Sequence, residues 1–166
     1  MTHKLTDTRN HFKPFNYPWA YESWLKHEQA HWLHTEVPMA EDVKDWKKKL
    51  TAEEKHFLTN IFRFFTQGDI DVAGGYVKNY LPYFPQPEIR MMLMGFAARE
   101  ALHIAAYSHL IETLGMPEST YNEFLEYQEM KDKHDYVTEL SSKNGDRKST
   151  RLNSSHIPLS RMPSSA

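Results

Sequence analysis

Cysteine is absent from the 166 residues, and with it go disulfide scaffolds, zinc ribbons, iron–sulfur centres and thiol nucleophiles. Any redox role must therefore use a metal, an aromatic side chain or a bound cofactor. A basic excess is lacking too. The 20 Lys+Arg and 22 Asp+Glu leave a formal charge of −2, the wrong balance for a nucleic-acid partner. Apolar runs are short, the longest being about Met91–Met94, far below the ~20 residues of a membrane span. No apolar stretch follows the charges of the opening MTHKLTDTRN, so the sequence predicts no signal peptide and a cytoplasmic location. Strand-like alternation and hairpin turn pairs are also missing.

What is present suits one helical domain. Hydrophobic residues make up 40% and charged residues 25%, enough to bury a core and exclude wholesale disorder. Residues 1–17 carry Pro14 and no helical period, and read as an amino-terminal arm. From Pro18 to about Tyr136 every proline sits at a boundary. The pattern predicts helices over 18–33, 41–50, 52–81, 87–114 and 118–136, an all-α domain over residues 18–140. Thr51 and Glu54 form a capping box ahead of the third helix. Its core stripe runs Leu58, Phe62, Phe65, Asp69, Ala73, Tyr76. The Pro82–Pro87 turn then sends the fourth helix back antiparallel beside it.

Residues 141–166 are a different material, rich in Ser and Arg and without periodicity, and the expectation is a disordered tail. Asp146–His156 and Ser160–Ala166 look like the translation of a sequencing-library adapter, so the natural sequence is expected to depart near Asn144. Without residues 146–166 the balance is 16 basic against 21 acidic, or −5.

The chemical signal lies on the fourth helix. Steps of four and three give Ile89, Leu93, Phe96, Glu100, His103, Tyr107, Leu110, Leu114, apolar except for the three in the middle. Glu100 and His103 lie about 60° apart around the helix, and Tyr107 about 20° from Glu100. An unpaired buried carboxylate costs several kcal/mol, whereas a divalent metal uses carboxylate oxygen and imidazole nitrogen together. Asp69 breaks the third helix's stripe in the same way. Thirteen residues separate Asp69 from Pro82 and 13 separate Pro87 from Glu100, so the hairpin sets them level. Glu-x-x-His alone is a weak signal: chance predicts roughly 0.8 matches and three occur. Glu28/His31 and Glu53/His56 occupy polar stretches expected to face water. Glu100/His103 alone interrupts a core seam, where the rival reading is a hydrogen-bonded core pair. Tyr107 reads either as a large core residue or as a phenol oxidisable beside a metal. Trp32 reads most simply as packing.

Asp69 followed by Glu100-x-x-His103-x-x-x-Tyr107 in AAREALHIAAYSHLIETLG resembles the small, radical-generating subunit of class I ribonucleotide reductase. AHWLHTEVPMAEDVKDW, TAEEKHFLTNIFRFFTQGDID and LPYFPQPEIRMMLMGFAARE look like that family too, and the likeness covers about residues 15–140. The resemblance implies a ferritin-like helical bundle. Asp69, Glu100 and His103 would ligate the first metal of a di-iron or iron–manganese centre, with Glu100 bridging. Tyr107 would carry the radical formed with dioxygen, and Trp32 would lie near the start of the radical path. It also implies a homodimer in the intact protein and a large catalytic subunit as partner, which reduces the ribonucleotide. The family's second metal site uses a further Glu and a second Glu-x-x-His beyond the tyrosine. No Glu-x-x-His follows Tyr107 here, so the sequence predicts an incomplete bundle with half a metal site, inactive alone. The alternatives are another ferritin-like oxidase or storage protein, and a metal-free helical interaction module.

Overall fold

The computed structural model describes residues 4–142, with side chains through Glu139. The adapter-like stretch and the rest of the expected tail beyond Ser142 lie outside the described residues. Helices α1 (Pro18–Gln29), α2 (Ala40–Lys48), α3 (Ala52–Gly75), α4 (Pro87–Thr113), α5 (Ser119–Asn122) and α6 (Gln128–Ser142) follow one another, and no strand occurs among the described residues. The fold is all-α, as the pattern predicts.

The long hairpin of α3 and α4 is the frame. Its first turn is closed by the expected capping box: Glu54 N–H donates to the Thr51 hydroxyl at 3.2 Å, and Thr51 N–H donates to the Glu54 carboxylate at 2.8 Å. The two helices run antiparallel, because ring contacts pair early residues of one with late residues of the other. Phe65 meets Tyr107, with centroids 5.3 Å apart, and Tyr76 meets Phe96 at 6.0 Å. The sequence carries the third helix to Leu81, but the α geometry ends at Gly75. A π turn over Tyr76–Tyr80 follows, closed by Leu81 N–H donating to the Tyr76 carbonyl at 3.0 Å. Gly74 and Gly75 weaken the helix there.

Helix α1 lies across α4 through Ala20, Ile89 and Leu93. Gly95 makes the approach close: a Cβ there would sit 3.0 Å from the Trp24 ring. The predicted continuation of this helix to Leu33 is not found, and α1 stops at Gln29. Arg99 on α4 supplies the reason, donating to the carbonyls of His27 at 2.6 Å and Ala30 at 3.1 Å. Those carbonyls are satisfied without a further helical turn, and Trp32 falls in the extended segment ahead of the 3₁₀ turn at His34–Glu36. The predicted last helix over 118–136 is likewise divided into α5, a 3₁₀ turn at Glu123–Glu126, and α6. Buried Arg63 of α3 donates to the Thr120 carbonyl at 3.1 Å and pairs with Glu123. These tertiary bonds override local propensity.

The arm is bolted to the start of α4. Glu88, fully buried in the first turn of α4, pairs with Arg9 and accepts the backbone N–H groups of Asn16 at 2.9 Å and Tyr17 at 3.0 Å. Gln86, also fully buried, donates to the Asp7 carbonyl at 2.5 Å. Burial works to raise the Glu88 pKa, but the backbone N–H groups of Glu88 and Tyr17 and the Arg9 charge outweigh it, and the net shift is downward from 4.5.

Breaking such a pair leaves a buried charge uncompensated. Arg9→Ala is therefore expected to lower unfolding free energy by about 3 kcal/mol in urea denaturation, and Arg9→Met with Glu88→Leu also destabilises, because it leaves the Asn16 and Tyr17 N–H groups without their acceptor. A carboxylate depressed on folding contributes stability that is fully present above its unfolded pKa of 4.5. That contribution is lost as pH falls through the lower folded value. The urea midpoint of the parent chain should accordingly fall more steeply below that pH than the midpoint of the double variant.

Candidate metal centre

Asp69 on α3 and Glu100 and His103 on α4 meet in one place. Each offers a ligand atom, and these atoms all lie within 4.8 Å of one another. Steps of three along α4 put Glu100 and His103 on one face, and the antiparallel hairpin brings Asp69 level with them. His103 Nδ1 lies 3.1 Å from Glu100 Oε2. Burial pushes the Asp69 pKa up, the neighbouring Glu100 charge pushes it the same way, and His103 opposes both. Two carboxylates in one cleft repel, and a cation removes that repulsion. Ligands about 2.1 Å from a metal lie within ~4.2 Å of each other, so small rotamer changes suffice for closure. The oxygen and nitrogen donors suit iron or manganese.

The expectation of a sealed apolar seam requires correction. Ile89, Leu93 and Leu114 are buried, but the middle of the seam is open: the His103 side chain is 39% exposed and that of Glu100 17%. Asp69 and His103 of the cluster line a cleft of about 410 Å³ together with Trp32, Phe65, Ala106 and Tyr107. Phe65, on the α3 wall of this cleft, is itself exposed. Glu28/His31 and Glu53/His56, expected to face water, are all exposed.

Both aromatic residues singled out from the sequence border the cluster. The Trp32 ring stacks on His103 at a centroid distance of 6.3 Å and an angle of 26°. Tyr107 is half-buried, and burial first, then the Asp69 charge, raises its pKa. Its ring lies parallel to Phe65, 3° from coplanar orientation.

Three features escape the sequence reading. Arg99, next to Glu100, ends α1 and so delivers Trp32 to His103. Phe65 reads as a stripe residue, with nothing to mark its ring partner. Asp71 pairs with His134 at 2.9 Å, tying α3 to α6; 63 residues separate them, and no local pattern connects them. Only the position of Asp71, i+2 from Asp69 and hence on another face, was available as a signal.

Comparisons with known proteins agree with this arrangement. The pattern of the family described as "Ribonucleotide reductase, small chain" matches residues 9–157. The chain is 61% identical over 137 residues to the probable ribonucleoside-diphosphate reductase small subunit 376L of Invertebrate iridescent virus 6, covering 82% of this chain and 38% of that protein. It is 59% identical over 134 residues to the corresponding protein 048L of Invertebrate iridescent virus 3, covering 81% and 35%. The chain thus spans less than two fifths of the length of these relatives. Among solved structures, the ribonucleotide reductase R2 subunit from Clostridium botulinum shares the fold at a TM-score of 0.70 and 21% identity, over 76% of this chain and 40% of that one. The helical frame is that of the ferritin-like R2 bundle, present in part. With the family pattern matched along most of its length, the chain belongs to the ribonucleotide reductase small-chain family.

Proposed function

We propose that the chain is the portion of a class I ribonucleoside-diphosphate reductase small subunit that holds the first metal of a carboxylate-bridged pair and the radical tyrosine. The observation that carries this reading is the convergence of Asp69, Glu100 and His103 within 4.8 Å beside Tyr107, in a chain of this family. Two iron ions, or iron with manganese, supply the oxidation driven by dioxygen when bound. Asp69, Glu100 and His103 would hold the first metal. His103 Nδ1, 3.1 Å from Glu100, would offer its lone pair in the tautomer that carries the proton on Nε2. Asp69, whose pKa burial raises, must lose its proton to ligate, so binding is expected to weaken as pH falls.

In this reading Tyr107 would be the one-electron donor to the oxidant that the metals and dioxygen supply, would lose its phenolic proton with that electron, and would hold the resulting radical. Trp32, stacked on His103, would lie near the start of the radical path between the surface and this site. The destination would be a large catalytic subunit that reduces ribonucleotides, the intact small subunit being a homodimer. By the family resemblance, the ligands of the second metal would be a further Glu and a second Glu-x-x-His beyond the tyrosine, and no Glu-x-x-His follows Tyr107 in this chain. No helix among the described residues is long and apolar enough to cross a membrane, which accords with the cytoplasmic location proposed here.

Titration with ferrous ion under nitrogen, followed calorimetrically, is expected to show one site in this chain. His103→Ala and Asp69→Asn should each weaken it at least about tenfold, as losses of a ligand do. Glu100→Leu with His103→Leu should abolish binding while leaving thermal stability equal or higher, because an apolar pair replaces a polar one. Binding retained in that double variant would contradict the assignment.

Adding dioxygen to the iron-treated chain should give no sharp tyrosyl signal in electron paramagnetic resonance, since the second ligand set is missing. A chain extended with the remaining length of a relative should give one, and Tyr107→Phe should remove it. A sharp signal from the present chain alone would refute the half-site reading.

A further inference from the structure

We propose that Phe65 is a positioning residue for Tyr107, fixing the plane of the phenol and shielding one of its faces from water. The contact stands on geometry alone; its value for radical chemistry rests on the reading of Tyr107 given above.

Phe65 lies one helical turn before Asp69 on α3, on the face that meets α4. Its ring is parallel to that of Tyr107 to within 3°, with centroids 5.3 Å apart, in the offset-stacked range favoured by aromatic quadrupoles. Phe65 is nonetheless 40% exposed. It fills no sealed core, and its face is given to Tyr107.

The ring is also braced from behind. Phe64 meets it edge-on at 5.4 Å and 70°, and Lys133 Nζ sits 4.2 Å over the Phe64 ring. A phenol attached through Cβ can rotate about its Cβ–Cγ bond, and such rotation would drive the Tyr107 edge into the parallel Phe65 face. The stack therefore selects one ring plane. A phenyl ring suits this task because it has no polar atom to compete for the phenolic hydroxyl, whose surroundings are then set by the Asp69 side of the cleft.

The test is nuclear magnetic resonance of the full chain carrying ¹³C-ring-labelled tyrosine, with the Tyr107 signals identified by their loss in Tyr107→Phe. In the parent chain the Tyr107 ring signals are expected upfield, displaced by the Phe65 ring current, with slowed ring flips. Phe65→Leu should remove the displacement and speed the flips by about tenfold, the rate equivalent of one aromatic contact. Phe65→Trp should keep both. A merely space-filling role would instead keep the flips slow in Phe65→Leu, which fills the position, and disturb them in Phe65→Trp, which overfills it.

The Tyr121 signals, set by its 2.9 Å bond to Ser108, report whether the fold is kept; if Phe65→Leu loses them, Phe65→Met is read in its place. Unshifted, rapidly averaged Tyr107 signals in the parent chain would overturn the proposal without any variant. So would a Phe65→Trp chain that matches Phe65→Leu. Ferrous titration of the same variants separates the two ideas. A lost stack with unchanged iron binding leaves the metal centre standing, and an intact stack without iron binding sinks only the metal centre.

Discussion

The register of α3 against α4 decides which side chains can act together. Three potential ligands on two helices are useful only if the hairpin sets them level, and a slip of one residue would rotate a ligand by about 100°. The turn between Pro82 and Pro87 sets that register, and the rest of the fold defends it. Buried Glu88 ties the first turn of α4 to Arg9 and to the backbone of the arm. Arg99, one residue before Glu100, ends α1 and holds the following segment against α4. Arg63 and Asp71 do the same for α5 and α6 on the other flank of α3.

The electrostatics of the cleft follow from that register. Asp69 and Glu100 share a half-buried space in which burial and their mutual repulsion both disfavour charge on Asp69. His103 opposes both on Asp69, but only in part. A cation among the three would satisfy all of them at once, which a hydrogen-bonded pair cannot do for the third. Aromatic residues flank this point: Trp32 stacks on His103, and Tyr107 stacks on Phe65. Polar ligands and oxidisable rings are thus held by the same two helices.

Much of this was legible in the sequence, because periodicity and turn chemistry are local. The Glu100–His103–Tyr107 seam, the level of Asp69, the Thr51–Glu54 cap and the all-helical class each needed only spacing. The ends of helices were legible where a proline stood and illegible where a distant side chain intervened: Arg99 ends α1 four residues early, and Arg63 divides the last predicted helix. The depth of the site was misjudged for a related reason. A seam of apolar residues shows which face turns inward but not how much of the surroundings covers it, and here the middle of that seam is open. Phe65 and the Asp71–His134 pair depend on contacts across more than 40 residues of chain, which no local pattern encodes.

The central claim is that Asp69, Glu100 and His103 aim at a single point able to hold a cation. Anomalous diffraction from crystals of the chain soaked in manganous ion tests it most directly. One strong peak within bonding distance of all three side chains is the result this account predicts. A map with no peak in the cleft, or with the three side chains turned apart around an empty centre while manganese sits elsewhere, would contradict it.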